Sequence, residues 1–103
     1  MNTKKEIREN FRHDVYLRDN FKCRKCDVKD VNMDAHHITD RNEMPNGGFT
    51  FWNGISLCPE CHKKAEVWHN SNKTRFEEGY HPNDLYFLIG SSYEKAYEES
   101  INL

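Results

Sequence analysis

Two cysteine pairs, Cys23-x2-Cys26 and Cys58-x2-Cys61, bracket the run Asp34-Ala35-His36-His37-Ile38, and His62 follows the last cysteine with Glu66 four residues beyond it. A two-residue gap lets both sulfurs of a pair reach one ion, so four thiolates make the ligand set of a structural zinc. The histidines and the carboxylate make a different set. Residues i and i+4 on a helix point together, so His62 and Glu66 can converge on one cation. His36 would complete a three-ligand site with positions open for water and a phosphate oxygen, the arrangement of a metal centre that works on phosphodiester bonds.

The elements that must position these groups are short. Thr3 with Glu6 reads as a capping box, and Ile7, Phe11 and Val15 recur on one face, which predicts an N-terminal helix ending near Asn20. A knuckle at Cys23-Arg24-Lys25-Cys26 should lead into a strand over Val31 to His37. Residues 39–53, rich in Asn, Gly, Pro and charge, read as a long loop, and Ile55 to Leu57 as a second strand. Pro59 fits the first turn of a helix that stops around residues 70–72, with Cys61, Ala65 and Trp68 on one side and His62, Glu66 and His69 on another. Downstream, Pro82 opens an apolar cluster that ends at Gly90, and Ser91 with Glu94 reads as another capping box, so two short helices are expected.

At 103 residues with 36% hydrophobic and 31% charged side chains, the chain is one domain with little material for a core, and a zinc clasp would supply the missing staple. Two readings compete with zinc. A pair of disulfides needs an oxidising compartment, and thioredoxin-like redox use needs a strand-helix-strand pattern around Cys23 and Cys26. Neither pattern is visible: no apolar stretch follows the lysines of Met1 to Glu6, and no segment nears the ~18 apolar residues of a membrane span. The expectation is an intracellular, cytoplasmic protein with reduced thiols and no membrane partner. Net charge is −2 but unevenly placed, with 14 Lys+Arg against 11 Asp+Glu in residues 1–76 and one lysine against six acids in residues 77–103. Because four zinc-bound thiolates offset part of that surplus, affinity for nucleic acid should be modest and salt-sensitive.

The segment His36-His37-Ile38, then Asn53-Gly54-Ile55-Ser56-Leu57-Cys58-Pro59-Glu60-Cys61-His62-Lys63-Lys64-Ala65-Glu66, resembles the HNH nuclease family, with similarity from about Phe11 to His69. In particular it is similar to the small four-cysteine enzymes of phages and mobile elements that act in their host cell. The resemblance implies an α+β fold with a ββα-metal (His-Me finger) core, a structural four-cysteine zinc site, an N-terminal helix and a C-terminal helical extension. The expected organisation is a nuclease domain over residues 1–76 and an acidic helical extension over residues 77–103 packed on it. Carried over residue by residue, His37 would be the general base, and His36 and His62 would ligate the catalytic ion, with Glu66 where many relatives have histidine. Asn53 would bridge backbone groups so that His37 is presented correctly. A carboxylate at Glu66 hardens the site and favours Mg²⁺ or Mn²⁺ over Zn²⁺. Cys23, Cys26, Cys58 and Cys61 would bind Zn²⁺.

Around this set stand residues with less specific signals. Arg41, just past the His-His-Ile run, is expected to contact DNA phosphate, with an ordinary exposed loop arginine as the alternative. Lys4, Lys5, Arg8, Arg12 and Arg18 read for the most part as a solvated helix face, with Arg12 and Arg18 the candidates among them for phosphate. Asp34, two residues before His36, reads either as a partner for it or as a solubilising charge at the strand edge. His13, His69 and His81 read as structural or solvated, Tyr80, Tyr86, Tyr93 and Tyr97 as packing residues, and Glu66 has the alternative of a surface pair with Lys63 or Lys73. The first functional expectation is a metal-dependent DNA endonuclease leaving 5′-phosphate and 3′-hydroxyl ends. The rival is a zinc-stapled module that binds nucleic acid or protein through an inactive centre. A homodimer or a protein partner would be needed to cut both strands at once or to add sequence selectivity.

Overall fold

The computed structural model describes residues 3–29 and 31–103, in which a two-stranded sheet is combined with four short α-helices. Met1 and Asn2, part of the N-terminal stretch read above, and Asp30 lie outside the described residues. Helix α1 runs Lys4–Arg18 and starts at the expected capping box, with Glu6 N–H donating to Thr3 Oγ1 and Thr3 N–H to Glu6 Oε1, both at 3.1 Å. Its buried residues are Phe11 and Val15. They press on Gly54 so closely that a Cβ there would lie 2.5 Å from Val15 Cγ2. Strand β1 (Asp34–His37) pairs antiparallel with β2 (Gly54–Leu57), His36 opposite Ile55 and His37 opposite Gly54.

The first strand is shorter than the Val31 to His37 expected. Asp34 pairs with Leu57, and the next residue, Cys58, already caps helix α2 (Pro59–Asn70), so residues before Asp34 have no ladder partner. The connection over residues 39–53 is a loop folded into three single 3₁₀ turns that bury Met44, Gly48 and Thr50. Helices α3 (Pro82–Leu88) and α4 (Tyr93–Ile101) occur where two short helices were expected. The cap of α4 is Ser92, whose hydroxyl accepts from Lys95 N–H, while Ser91 instead donates to the Trp52 carbonyl. His81 caps α3 with Asp84 as its reciprocal partner.

One core joins these parts. Leu85, Tyr86, Ile89 and Ala96 from the acidic C-terminal segment pack in the same cluster as Ile38, Ile55, Leu57, Ala65 and three of the four cysteines. Beneath α1 a second, polar anchor forms around the fully buried carboxylate of Asp19. Arg18 grips it in a fork at 2.8 and 2.9 Å, Arg24 donates at 3.1 Å and the Ser56 N–H at 2.8 Å. The remaining donors of Arg18 go to the Phe51 and Gly54 carbonyls and one of Arg24 to that of Leu88. Arg18, named above as a candidate phosphate contact, is therefore committed to the interior. No described helix is long and apolar enough to cross a membrane.

Candidate active site

The four cysteines converge: their Sγ atoms all lie within 4.8 Å of one another, and Cys26 Sγ stands 3.7 Å from Cys58 Sγ. The edge of a tetrahedron with ~2.3 Å metal–sulfur bonds is ~3.8 Å, so the cluster has the dimensions of a zinc site. All four are free thiols, against the disulfide alternative. The backbone is shaped for ligation: Cys58 is the N-cap of α2, its sulfur accepting from Cys61 N–H, and Tyr80 OH donates to Cys61 Sγ at 3.4 Å. Burial would raise the Cys23 thiol, but N–H donors from Cys58, Cys26 and Lys25 bring it down to about 7. Cys61 is pushed up to about 12 by burial, despite the Tyr80 hydroxyl and with neighbouring sulfurs adding to the rise. Such a set holds several thiolates together only around a cation.

The second cluster sits where β1 meets α2. Glu66 Oε1 lies 3.3 Å from His36 Nδ1 and 3.0 Å from His62 Nε2. Ligand–ligand edges around an ion with ~2.1 Å bonds are ~3.0 to 3.4 Å, so these three atoms are spaced to share one divalent cation. Hydrogen bonds from both histidines hold the Glu66 carboxyl far below the usual carboxylate range, and Glu66 in turn raises His62. Burial lowers His36, which is 3% exposed. Among the described residues Glu66 pairs with His36 and His62 and with neither Lys63 nor Lys73, and Lys73 pairs with Glu43.

Asp34 does not partner His36. Its carboxylate lies 3.1 Å from His62 Nδ1, because the antiparallel register sets Asp34 beside the end of β2, from which α2 departs. His62 thus turns one ring nitrogen to the shared centre and the other to a carboxylate, the orientation that fixes the tautomer of a metal-ligating imidazole. A cleft of about 360 Å³ opens over this cluster, and Asp40, Arg41, Asn42 and His69 complete its wall beside His37.

His37 is held by packing. Its ring stacks on Phe11 with centroids 4.5 Å apart and meets the Phe49 ring edge-on at 4.9 Å. Nε2 is sealed and has no hydrogen-bond partner. Burial first, then the neighbouring His36 and Arg41, lower its pKa to about 4, which leaves the imidazole neutral at pH 7. His69 Nε2 contacts the His37 carbonyl at 3.2 Å. This contact fits the structural side of the structural-or-solvated reading, and its place on the cleft adds to it; the spacing that put His69 on the His62 face was the available signal.

Asn53 is fully buried and uses its whole amide. Nδ2 donates to the carbonyls of Thr39 (3.1 Å) and Gly48 (3.2 Å), while Oδ1 accepts from Thr39 N–H (3.0 Å) and Tyr86 OH (2.7 Å). Its own carbonyl accepts from Ile38 N–H at 2.9 Å. The residue therefore ties both ends of the connecting loop to the strand end that carries His37. Tyr86 has a part in this that no sequence signal disclosed: it packs in the core, as read, and its hydroxyl also reaches Asn53 and Thr39. Arg41 is exposed at the rim of the cleft, its guanidinium 5.7 Å from the Phe49 ring centroid.

Residues 23–67 match the family model described as HNH endonuclease, the stretch that holds both ligand clusters, His37 and Asn53. That segment is of the HNH type, and its four clustered cysteines are compatible with the zinc-stapled form. No curated protein and no solved structure matches the chain.

Proposed function

We propose that the protein is a metal-dependent DNA endonuclease acting inside the cell, with His37 as general base. One observation carries the reading: His36 Nδ1, His62 Nε2 and Glu66 Oε1 converge within 4.8 Å of one another, beside a neutral histidine, in a segment of HNH type. Mg²⁺ or Mn²⁺ bound by these three would supply Lewis-acid stabilisation of charge on the phosphate and on the leaving 3′-oxygen.

The chain's own residues do the rest. With Nε2 sealed, the other ring nitrogen of His37, Nδ1, takes the proton from water as the water oxygen bonds to phosphorus. The P–O3′ bond breaks, the leaving 3′-oxygen takes up a proton from solvent water, and the products are a 5′-phosphate and a 3′-hydroxyl. Asn53 holds the backbone on both sides of the loop, and Phe11 and Phe49 restrict the imidazole ring, so that the base is positioned before substrate arrives. Asp34 orients His62, and Arg41 holds a phosphate at the rim. The four cysteines hold Zn²⁺ and hold the knuckle to the start of α2.

Supercoiled plasmid with Mg²⁺, Mn²⁺ or EDTA, alongside a His37→Ala variant, tests this. Metal-dependent conversion to open-circle DNA that is lost in the variant is expected. Equal cutting by the variant would refute the assignment of His37, and binding without cutting under any metal would move the function to an inactive binding module.

A further inference from the structure

A second cleft, of about 240 Å³, shares Asp34, Ala35, His37 and Arg41 with the first and is otherwise walled by α1 and Phe49. Arg8 and Arg12 line it from the helix. The guanidinium carbons of Arg8 and Arg41 stand 5.8 and 5.7 Å from the Phe49 ring centroid, so one aromatic side chain gathers two cations from separate elements of the fold. Among the described residues, neither these two nor Arg12 forms an ion pair. Arg18 and Arg24, by contrast, are spent on Asp19 and backbone carbonyls, and Glu9 of α1 lies by Lys5. The one carboxylate on this wall, Asp34, is engaged by His62. Tyr16, also on the wall, donates its hydroxyl to the Met33 carbonyl.

Three like charges around one concave surface, whose single carboxylate is turned to His62, repel one another unless an anion joins them. We infer that this groove is a second phosphate-binding site for the DNA strand, taking a backbone phosphate that flanks the one beside His37; the inference rests on the nuclease reading. The strand enters along α1 between Arg8, Arg12 and Arg41, passes His37 and leaves over the metal cluster. Planar guanidiniums suit phosphate oxygens, which they can meet with two donors at once. Positioning here is local, so a chain with a net charge of −2 can still grip a polyanion.

The test measures duplex DNA binding by fluorescence anisotropy across a salt series, with zinc-loaded protein in the His37→Ala background so that the DNA stays intact. Three variants are compared with that parent: Arg8→Ala/Arg12→Ala, Arg8→Lys/Arg12→Lys, and the charge-matched Lys22→Ala/Lys29→Ala. Each lost phosphate contact lowers the slope of log K against log salt by ~0.9, so the double alanine variant should lose nearly two from the slope and about tenfold in affinity at low salt. The lysine variant should keep the slope and the knuckle variant should match the parent. An unchanged slope and affinity in Arg8→Ala/Arg12→Ala, with the parent binding normally, would overturn the groove and leave the nuclease reading standing. A slope lowered equally by Lys22→Ala/Lys29→Ala would also overturn it, since net charge alone would then account for the effect. A parent that binds no DNA at all would overturn both.

Discussion

Replacing Asn53 by Asp changes one atom group in a side chain that is 0% exposed and already makes four hydrogen bonds. The Oδ1 side is preserved, because Thr39 N–H and Tyr86 OH can donate to a carboxyl oxygen as well as to an amide oxygen. The Nδ2 side is inverted: the carbonyls of Thr39 and Gly48, at 3.1 and 3.2 Å, would face an oxygen. Two neutral hydrogen bonds at about 1 kcal/mol each are lost and two acceptors are left unsatisfied, while protonation of the buried carboxyl restores at most one donor. The expected loss is about 2–4 kcal/mol. For a domain of this size 1 kcal/mol moves the midpoint by about 4–8 °C, so thermal unfolding followed by circular dichroism should shift down by at least roughly 10 °C. Tyr86→Phe is the internal standard. It removes one donor from Asn53 Oδ1, which keeps Thr39 N–H, together with the contact to Thr39 Oγ1, and should cost about 1–2 kcal/mol. An Asn53→Asp protein as stable as the parent, or one that loses less than Tyr86→Phe, would show that the amide does not clamp the loop.

Four further outcomes are expected. Cys26→Ser, at an exposed position where packing is little changed, should release zinc from the purified chain; elemental analysis finding one zinc per chain in the variant would count against the four-thiolate site. Glu66→Gln should weaken Mn²⁺ binding at least about tenfold when titrated by electron paramagnetic resonance, and unchanged affinity would remove Glu66 from the ligand set. Asp19→Ala leaves Arg18 and Arg24 facing each other without their shared carboxylate and should cost about 3–5 kcal/mol by urea denaturation; a loss under about 1 kcal/mol would make the anchor dispensable. Gly54→Ala, whose new methyl would meet Val15 and Phe11 at 2.5 to 2.7 Å, should destabilise by about 1–3 kcal/mol, and a protein of parental stability would mean that α1 can lift off the sheet freely.

Local spacing singled out the pairs from which the two groups of possible metal donors are built. C-x2-C pairs, a His-His at a strand end and an i, i+4 pair on a helix are short-range geometries, and they recur in the structure as two groups of converging donors. The capping box of α1 and the proline at the start of α2 are short-range in the same sense. What the sequence could not decide were the choices among several chemically equivalent partners at long range. Asp34 had two histidines within reach of its strand, and the register with Leu57 gave it to His62. Arg18, Arg12 and Arg8 look alike along one helix, yet only Arg18 falls above Asp19 and the Gly54 carbonyl, which turns it inward while the other two face the groove. Tyr86 resembles any apolar core residue until helix α3 docks and its hydroxyl meets an amide 33 residues earlier in the chain. Residue type and spacing therefore specified which donors could act together. Strand register and helix docking, set by burial of Phe11, Val15, Leu85 and Tyr86, decided which partner each donor received, because directional polar groups are satisfied only after packing has fixed their positions.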